Sequence, residues 1–124
     1  MAEIINYVNV LGTSYEVVRK NYDEDDDFKR LGINGYCDWA GKKVVFCNMD
    51  TYEGYEHETD ETKRCEERLT LRHEIVHAFC NESGLMSNAH TSSGSVFMDE
   101  EVVDFFAIQG PKIYKAWCEL SILP

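Results

Sequence analysis

Basic residues are scarce: 12 Lys and Arg stand against 23 Asp and Glu, a formal net charge of −11. Phosphate binding needs clustered cations, so nucleic acid is not an expected partner. Anionic membranes are disfavoured for the same reason. No stretch approaches the roughly 20 apolar residues that span a bilayer. The N-terminus, from Met1 to Tyr7, lacks the basic and apolar regions of a secretion signal. The five cysteines (Cys37, Cys47, Cys65, Cys80 and Cys118) are odd in number and contain no C-x-x-C pair. Free thiols in the cytoplasm are therefore expected, although Cys37 and Cys47 could face each other across a hairpin. Glycine and proline are absent from Asp60 to Ser83, which allows one long uninterrupted helix ending at Gly84.

What that helix carries is the most informative feature of the chain. His73-Glu74-Ile75-Val76-His77 spells H-E-x-x-H. Histidines four apart lie on one helix face, one turn above the other, and can reach the same metal ion. Glu74, rotated about 100° from His73, stands beside that ion as a base for a metal-bound water. Thr59 to Arg68 is almost wholly polar, while Leu69, Leu71, Ile75, Val76, Ala78 and Phe79 are apolar. The expectation is a helix solvated in its first half and buried in its second, with the histidines in the buried half.

A zinc site needs further ligands. Asp99, Glu100, Glu101 and Asp104 supply candidates in a second helical segment, whose apolar surface is Val102, Val103, Phe105 and Phe106. Glu100 and Asp104 share a face, so Glu100 could bind the metal while Asp104 accepts a hydrogen bond from a ligand histidine. Cys80, three residues after His77, offers an alternative structural His-His-Cys site, in which Glu74 would have no role.

His73 to Phe79, Glu82-Ser83-Gly84-Leu85, Glu100-x-x-x-Asp104 and Phe106-Ala107 together resemble a minimal gluzincin. Among small versions, the chain is similar to the ImmA/IrrE-like metallopeptidases and to short phage and prophage metallopeptidase-like proteins of Gram-positive bacteria. The resemblance takes in Gly35-Tyr36-Cys37-Asp38 and covers about residues 33 to 115. It implies zinc held by His73, His77 and Glu100, with Glu74 as catalytic base and Asp104 as partner of a ligand histidine. ImmA/IrrE-like chains carry E-A-N or E-A-D before Phe-Ala, where this chain has Val102-Val103-Asp104. Glu101 thus rivals Glu100. A helix-turn-helix region, present in larger relatives, has no room here.

Ahead of the long helix the composition reads as β. Ile4 to Val10, Tyr15 to Val18, Ile33 to Trp39 and Lys43 to Cys47 are the expected strands, the last two joined as a hairpin by Ala40-Gly41-Lys42. Asp23 to Asp27 reads as a solvated acidic loop without the glycine and terminal glutamate of a calcium loop. Met49 to Thr59 reads as a loop, and Pro111 to about Leu120 as a separate C-terminal helix. The 124 residues are expected to form one α+β domain of zincin-like type, 1–124. In it, a small mostly antiparallel sheet lies on the long helix and the glutamate-bearing helix. In the zincins this chain resembles, the exposed edge of a strand just before the motif helix binds an extended peptide, and by position the resemblance implies that Lys43 to Cys47 is that strand.

The expected activity is hydrolysis of a peptide bond in a peptide or protein substrate by zinc-activated water with Glu74 as base. His90, Tyr36 and Tyr114 are candidates for stabilising the oxyanion. The alternatives are a zinc-stabilised regulatory or binding module without turnover, such as a phage factor acting on a host protein, and a metal-free domain with a coincidental motif. Oligomeric state has no signature in the sequence.

Overall fold

A computed structural model of the chain describes residues 2–85 and 100–124. Four strands form one mixed sheet: β1 (Glu3–Val10), β2 (Thr13–Lys20), β3 (Gly35–Asp38) and β4 (Lys43–Cys47), in the order β1-β2-β4-β3. The β1–β2 and β3–β4 pairs are antiparallel hairpins, but β2 and β4 run parallel. The first hairpin turns through Leu11 and Gly12, both at positive φ (52° and 92°). That is the backbone a tight two-residue hairpin turn demands.

The order corrects one expectation. Lys43 to Cys47 is not an edge strand but lies between β2 and β3. Val44 and Phe46 join the core on one face of the sheet, Val45 and Cys47 the core on the other. A strand covered on both faces carries an unbroken apolar run, and Val44-Val45-Phe46-Cys47 is such a run. The outer strand beside it is β3.

Helix α1 (Asp26–Leu31) occupies part of the expected acidic loop, and a 3₁₀ turn (Tyr22–Glu24) precedes it. Asp25 is its N-cap, accepting a hydrogen bond from the backbone N–H of Asp27, and Gly32 closes it at φ 64°. The acids here therefore start a helix as well as meet solvent. Phe28 drives the packing, wholly buried with Val18, Val45, Cys47 and Met49, while Tyr22, Tyr52 and Tyr55 pack around them.

The opposite face of the sheet carries the helices. Helix α2 (Asp60–Glu82) begins at Thr59, whose Oγ1 accepts from the N–H of Thr62, and Gly84 follows its end at φ 83°. Leu71, Ile75, Ala78 and Phe79 pack on Val8, Val10, Tyr15, Val17, Val44 and Phe46. Helix α3 (Glu100–Glu119) adds Phe105, Ile113 and Ala116 to that core. It runs continuously through Pro111, where a separate C-terminal helix was expected. Proline there removes one N–H from the helix ladder, and the surrounding contacts of Phe105, Ile113 and Ala116 hold the segment helical.

The end of α2 is fastened to the sheet through Glu82. Its carboxylate accepts from Tyr15 Oη (2.6 Å), Lys42 Nζ (2.7 Å), Thr13 Oγ1 (2.9 Å) and Asn81 Nδ2 (2.9 Å). These bonds hold Glu82 well below the usual carboxylate range, at about 2, with the Lys42 contact first among the causes. Near the other end, Glu67 takes hydrogen bonds from Arg19 and from the Met49 N–H. Among the described residues, no helix is long and apolar enough to cross a membrane.

Candidate functional site

Helix α2 places His73 and His77 on one stripe, because four residues advance the helix by slightly more than one turn. Their Nε2 atoms lie 3.1 Å apart and their rings meet edge to face, 4.8 Å between centroids. Two nitrogens bound about 2.05 Å from one tetrahedral zinc lie about 3.3 Å apart, so the pair already has a ligand spacing. The nearest Glu74 oxygen completes a group whose donor atoms all lie within 4.8 Å of one another. Imidazole nitrogen and carboxylate oxygen are donors zinc accepts, and this set therefore fits it.

The burial expected of the motif is inverted. His73 and His77 are exposed, while Glu74 is 7 % exposed. The two histidines sit on the outward stripe of α2 and the glutamate on the stripe turned to the sheet. Desolvation pushes the Glu74 carboxyl up to about 7. Among the described residues nothing donates a hydrogen bond or an ion pair to it. His77 is held below its ordinary value by partial loss of solvent and then by the neighbouring His73.

Glu74 is covered by β3. A Cβ added at Gly35 would stand 2.4 Å from Thr70 Cγ2, 2.9 Å from the Val45 carbonyl oxygen and 3.6 Å from Glu74 Cγ. Glycine thus lets the strand backbone close onto the helix at the motif, a contact any larger residue would prop open. Two connected recesses of about 360 Å³ each follow this seam. Ile33, Gly35, His73 and Glu74 line both; Tyr36, Cys37, Trp39, His77 and Asn81 extend one end, and Glu66, Leu69 and Thr70 the other. Among the described residues β3 has no strand on its outer side. The cleft therefore combines a polar triplet with a free strand edge.

The remaining candidates divide clearly. Glu100 is the first residue of α3, and Glu101 and Asp104 follow on the same helix. The side chains of these three, together with Asp99, His90 and the segment Ser87 to Gly94, lie outside the described residues. Tyr36 presents its hydroxyl away from the motif: it donates to Asp25 Oδ2 (2.5 Å), and Lys20 Nζ lies 3.1 Å from it. Those partners engage it on the α1 side of the sheet. Tyr114 is exposed on α3. Cys80 is half-buried against the core and does not join the His73-Glu74-His77 group, so the His-His-Cys arrangement is not formed among the described residues. All five cysteines are unpaired. Cys37 pairs in register with Val44, not Cys47, and the two thiols face opposite sides of the sheet. Burial pushes both up, Cys37 to about 12 and Cys47 to about 11.

Trp39, Asn81 and Gly35 were not singled out by the sequence reading of the site. The signal for Gly35 was present, since a glycine opening a strand marks a close backbone approach. Asn81 could have been placed from its spacing to His77, four residues on along α2. Comparison with protein-family models, characterised proteins and solved structures finds no match to this chain.

Proposed function

We propose that the protein is a zinc-dependent peptidase of gluzincin type, similar to the ImmA/IrrE-like and short phage metallopeptidases. The observation that carries the reading is the division of labour within one helical turn. Two exposed imidazoles stand at ligand spacing, and the carboxyl of the residue after the first is buried under β3. A glutamate serving only a solvated surface has no reason to be buried, whereas a base held beside the histidine pair and shielded from bulk water does.

His73 and His77 would hold the metal, with Glu100 as the proposed third ligand. Zinc, when bound, supplies Lewis acidity toward water and the substrate carbonyl. Glu74 takes the proton of the attacking water and delivers it to the departing amine. The outer edge of β3 pairs with the backbone of an extended substrate and lays it across the triplet. That role belongs to β3 rather than to Lys43 to Cys47, which is enclosed on both sides. The short approach at Gly35 keeps this edge against Glu74.

Glu74→Gln tests the assignment. It preserves size and hydrogen-bonding capacity while removing the base. Zinc content should stay unchanged while peptide hydrolysis falls by about 10²- to 10⁴-fold. Hydrolysis undiminished in the variant would remove Glu74 from the chemistry.

A further inference from the structure

We propose that Trp39 and Leu69 determine the specificity of this cleft, selecting an extended peptide with apolar side chains on both sides of the residue over Glu74. The nature of the reaction rests on the peptidase reading above; the choice of ligand rests on geometry.

Trp39 is 56 % exposed and Leu69 is 51 % exposed. Single exposed apolar residues are ordinary, but these two stand at opposite ends of one groove. Leu69 lies one helical turn before His73 on the same stripe of α2 and lines one recess with Ile33, Thr70 and Glu74. Trp39 directly follows β3 and lines the other recess with Cys37, His77 and Asn81. The shared walls (Ile33, Gly35, His73 and Glu74) make the two recesses continuous.

Lengths along the two sides agree. From Leu69 to Asn81 α2 rises about 18 Å. From Ile33 to Trp39 an extended chain covers about 20 Å. A peptide of about six residues fills that span. Glu74 is about 7.5 Å along the helix from Leu69 and about 10 Å from Asn81. Each apolar end thus meets a side chain two to three residues from the one over Glu74. Pairing with the β3 edge uses only backbone, so it binds peptides without regard to sequence and leaves discrimination to the ends. Among the described residues no Lys or Arg lines either recess, so an acidic side chain at either end would find no cationic side chain.

The test uses the zinc-supplemented 124-residue chain and a capped decapeptide library, with cleavage sites mapped by mass spectrometry. Trp39→Ser and Leu69→Ser are run in parallel; both side chains are more than half exposed, and matched thermal denaturation checks that the variants fold. A second readout needs no turnover. Glu74→Gln protein is titrated with a capped hexapeptide carrying leucine at positions two and six, two residues either side of position four and on its face of the strand, and with its serine counterpart, following the Trp39 indole N–H by NMR.

Expected are cleavage sites flanked by Leu, Ile, Met or Phe, a loss of that preference at one end in each variant, and binding of the leucine peptide at least about tenfold tighter than the serine peptide. Cleavage flanked by charged residues, or preference unchanged in both variants, overturns the inference and leaves the peptidase reading standing. Selective binding of the leucine peptide at Trp39 without cleavage of any library member sustains the inference and removes the peptidase reading. Absence of both cleavage and selective binding overturns the inference.

Discussion

Replacing Glu82 by Gln removes one negative charge from the point where α2 is fastened to the sheet, while keeping the side chain's shape. The carboxylate accepts from Tyr15, Lys42, Thr13 and Asn81, which lowers its pKa from the ordinary 4.5 to about 2. A shift of this size corresponds to about 3 kcal/mol as a ceiling. The Lys42 side chain is 42 % exposed, so solvent screening reduces the expected contribution to about 2 kcal/mol. The sign follows from the depressed folded-state pKa. The stabilisation is complete above the unfolded value near 4.5, and it is lost as the pH falls through that window toward 2. Urea denaturation of wild type and Glu82→Gln should therefore differ by about 2 kcal/mol at pH 7 and by less than half of that at pH 3. The corresponding loss of Tm at pH 7 is about 6–10 °C for a chain of this size. A difference that is absent at pH 7, or equally large at pH 3, would refute the placement of the charge.

Other consequences follow from the site and its frame. Gly35→Ala forces a Cβ into Thr70 and the Val45 carbonyl, so the strand must move off α2. Chemical denaturation should show a loss of about 1–3 kcal/mol, and peptide hydrolysis should fall by more than the unfolded fraction explains. Tyr36→Phe removes a hydroxyl bonded to Asp25 and Lys20 on the far face of the sheet. It should cost about 1 kcal/mol of stability and leave kcat unchanged; a large drop in kcat at full folding would return Tyr36 to the chemistry. Val45→Ala, in the strand enclosed on both faces, should cost about 1–3 kcal/mol in the same denaturation assay, a penalty that an outer, half-solvated strand would not show.

The long helix was legible because its signals are local. An uninterrupted run from Asp60, a threonine cap at Thr59 and a glycine at 84 together mark both ends. The hairpin of Ile33 to Trp39 and Lys43 to Cys47 was legible from its turn residues for the same reason, while Ile4 to Val10 and Tyr15 to Val18 were legible as strands and not as a hairpin. The place of β4 was not read correctly, although the run Val44 to Cys47 carried the signal: four apolar residues in succession suit a strand with cover on both faces. Its parallel pairing with β2 depends on how the intervening segment crosses the sheet, and no short window of sequence encodes that. Asp23 to Asp27 has the acidity of a solvated loop, and the capping role of Asp25 ahead of Phe28 is a weaker signal in the same residues. Pro111 was read as a helix start, while the apolar spacing of Phe105, Ile113 and Ala116 carries one helix through it. The motif spacing placed His73 and His77 together, yet their exposure and the burial of Glu74 depend on where β3 crosses α2. Gly35 fixes that crossing, and it comes from a strand some forty residues away in sequence.

Zinc per chain is the measurement that bears most directly on the proposed centre. Protein purified without added metal or affinity tag is analysed for bound elements as wild type, His77→Ala and Glu100→Ala, before and after exposure to zinc. The proposed site requires close to one zinc in wild type and strongly reduced loading in both variants. Loading retained in Glu100→Ala but lost in His77→Ala would transfer the third position to another ligand, Glu101 first. A wild-type chain that carries no zinc and takes up none contradicts the metal centre, and with it the peptidase.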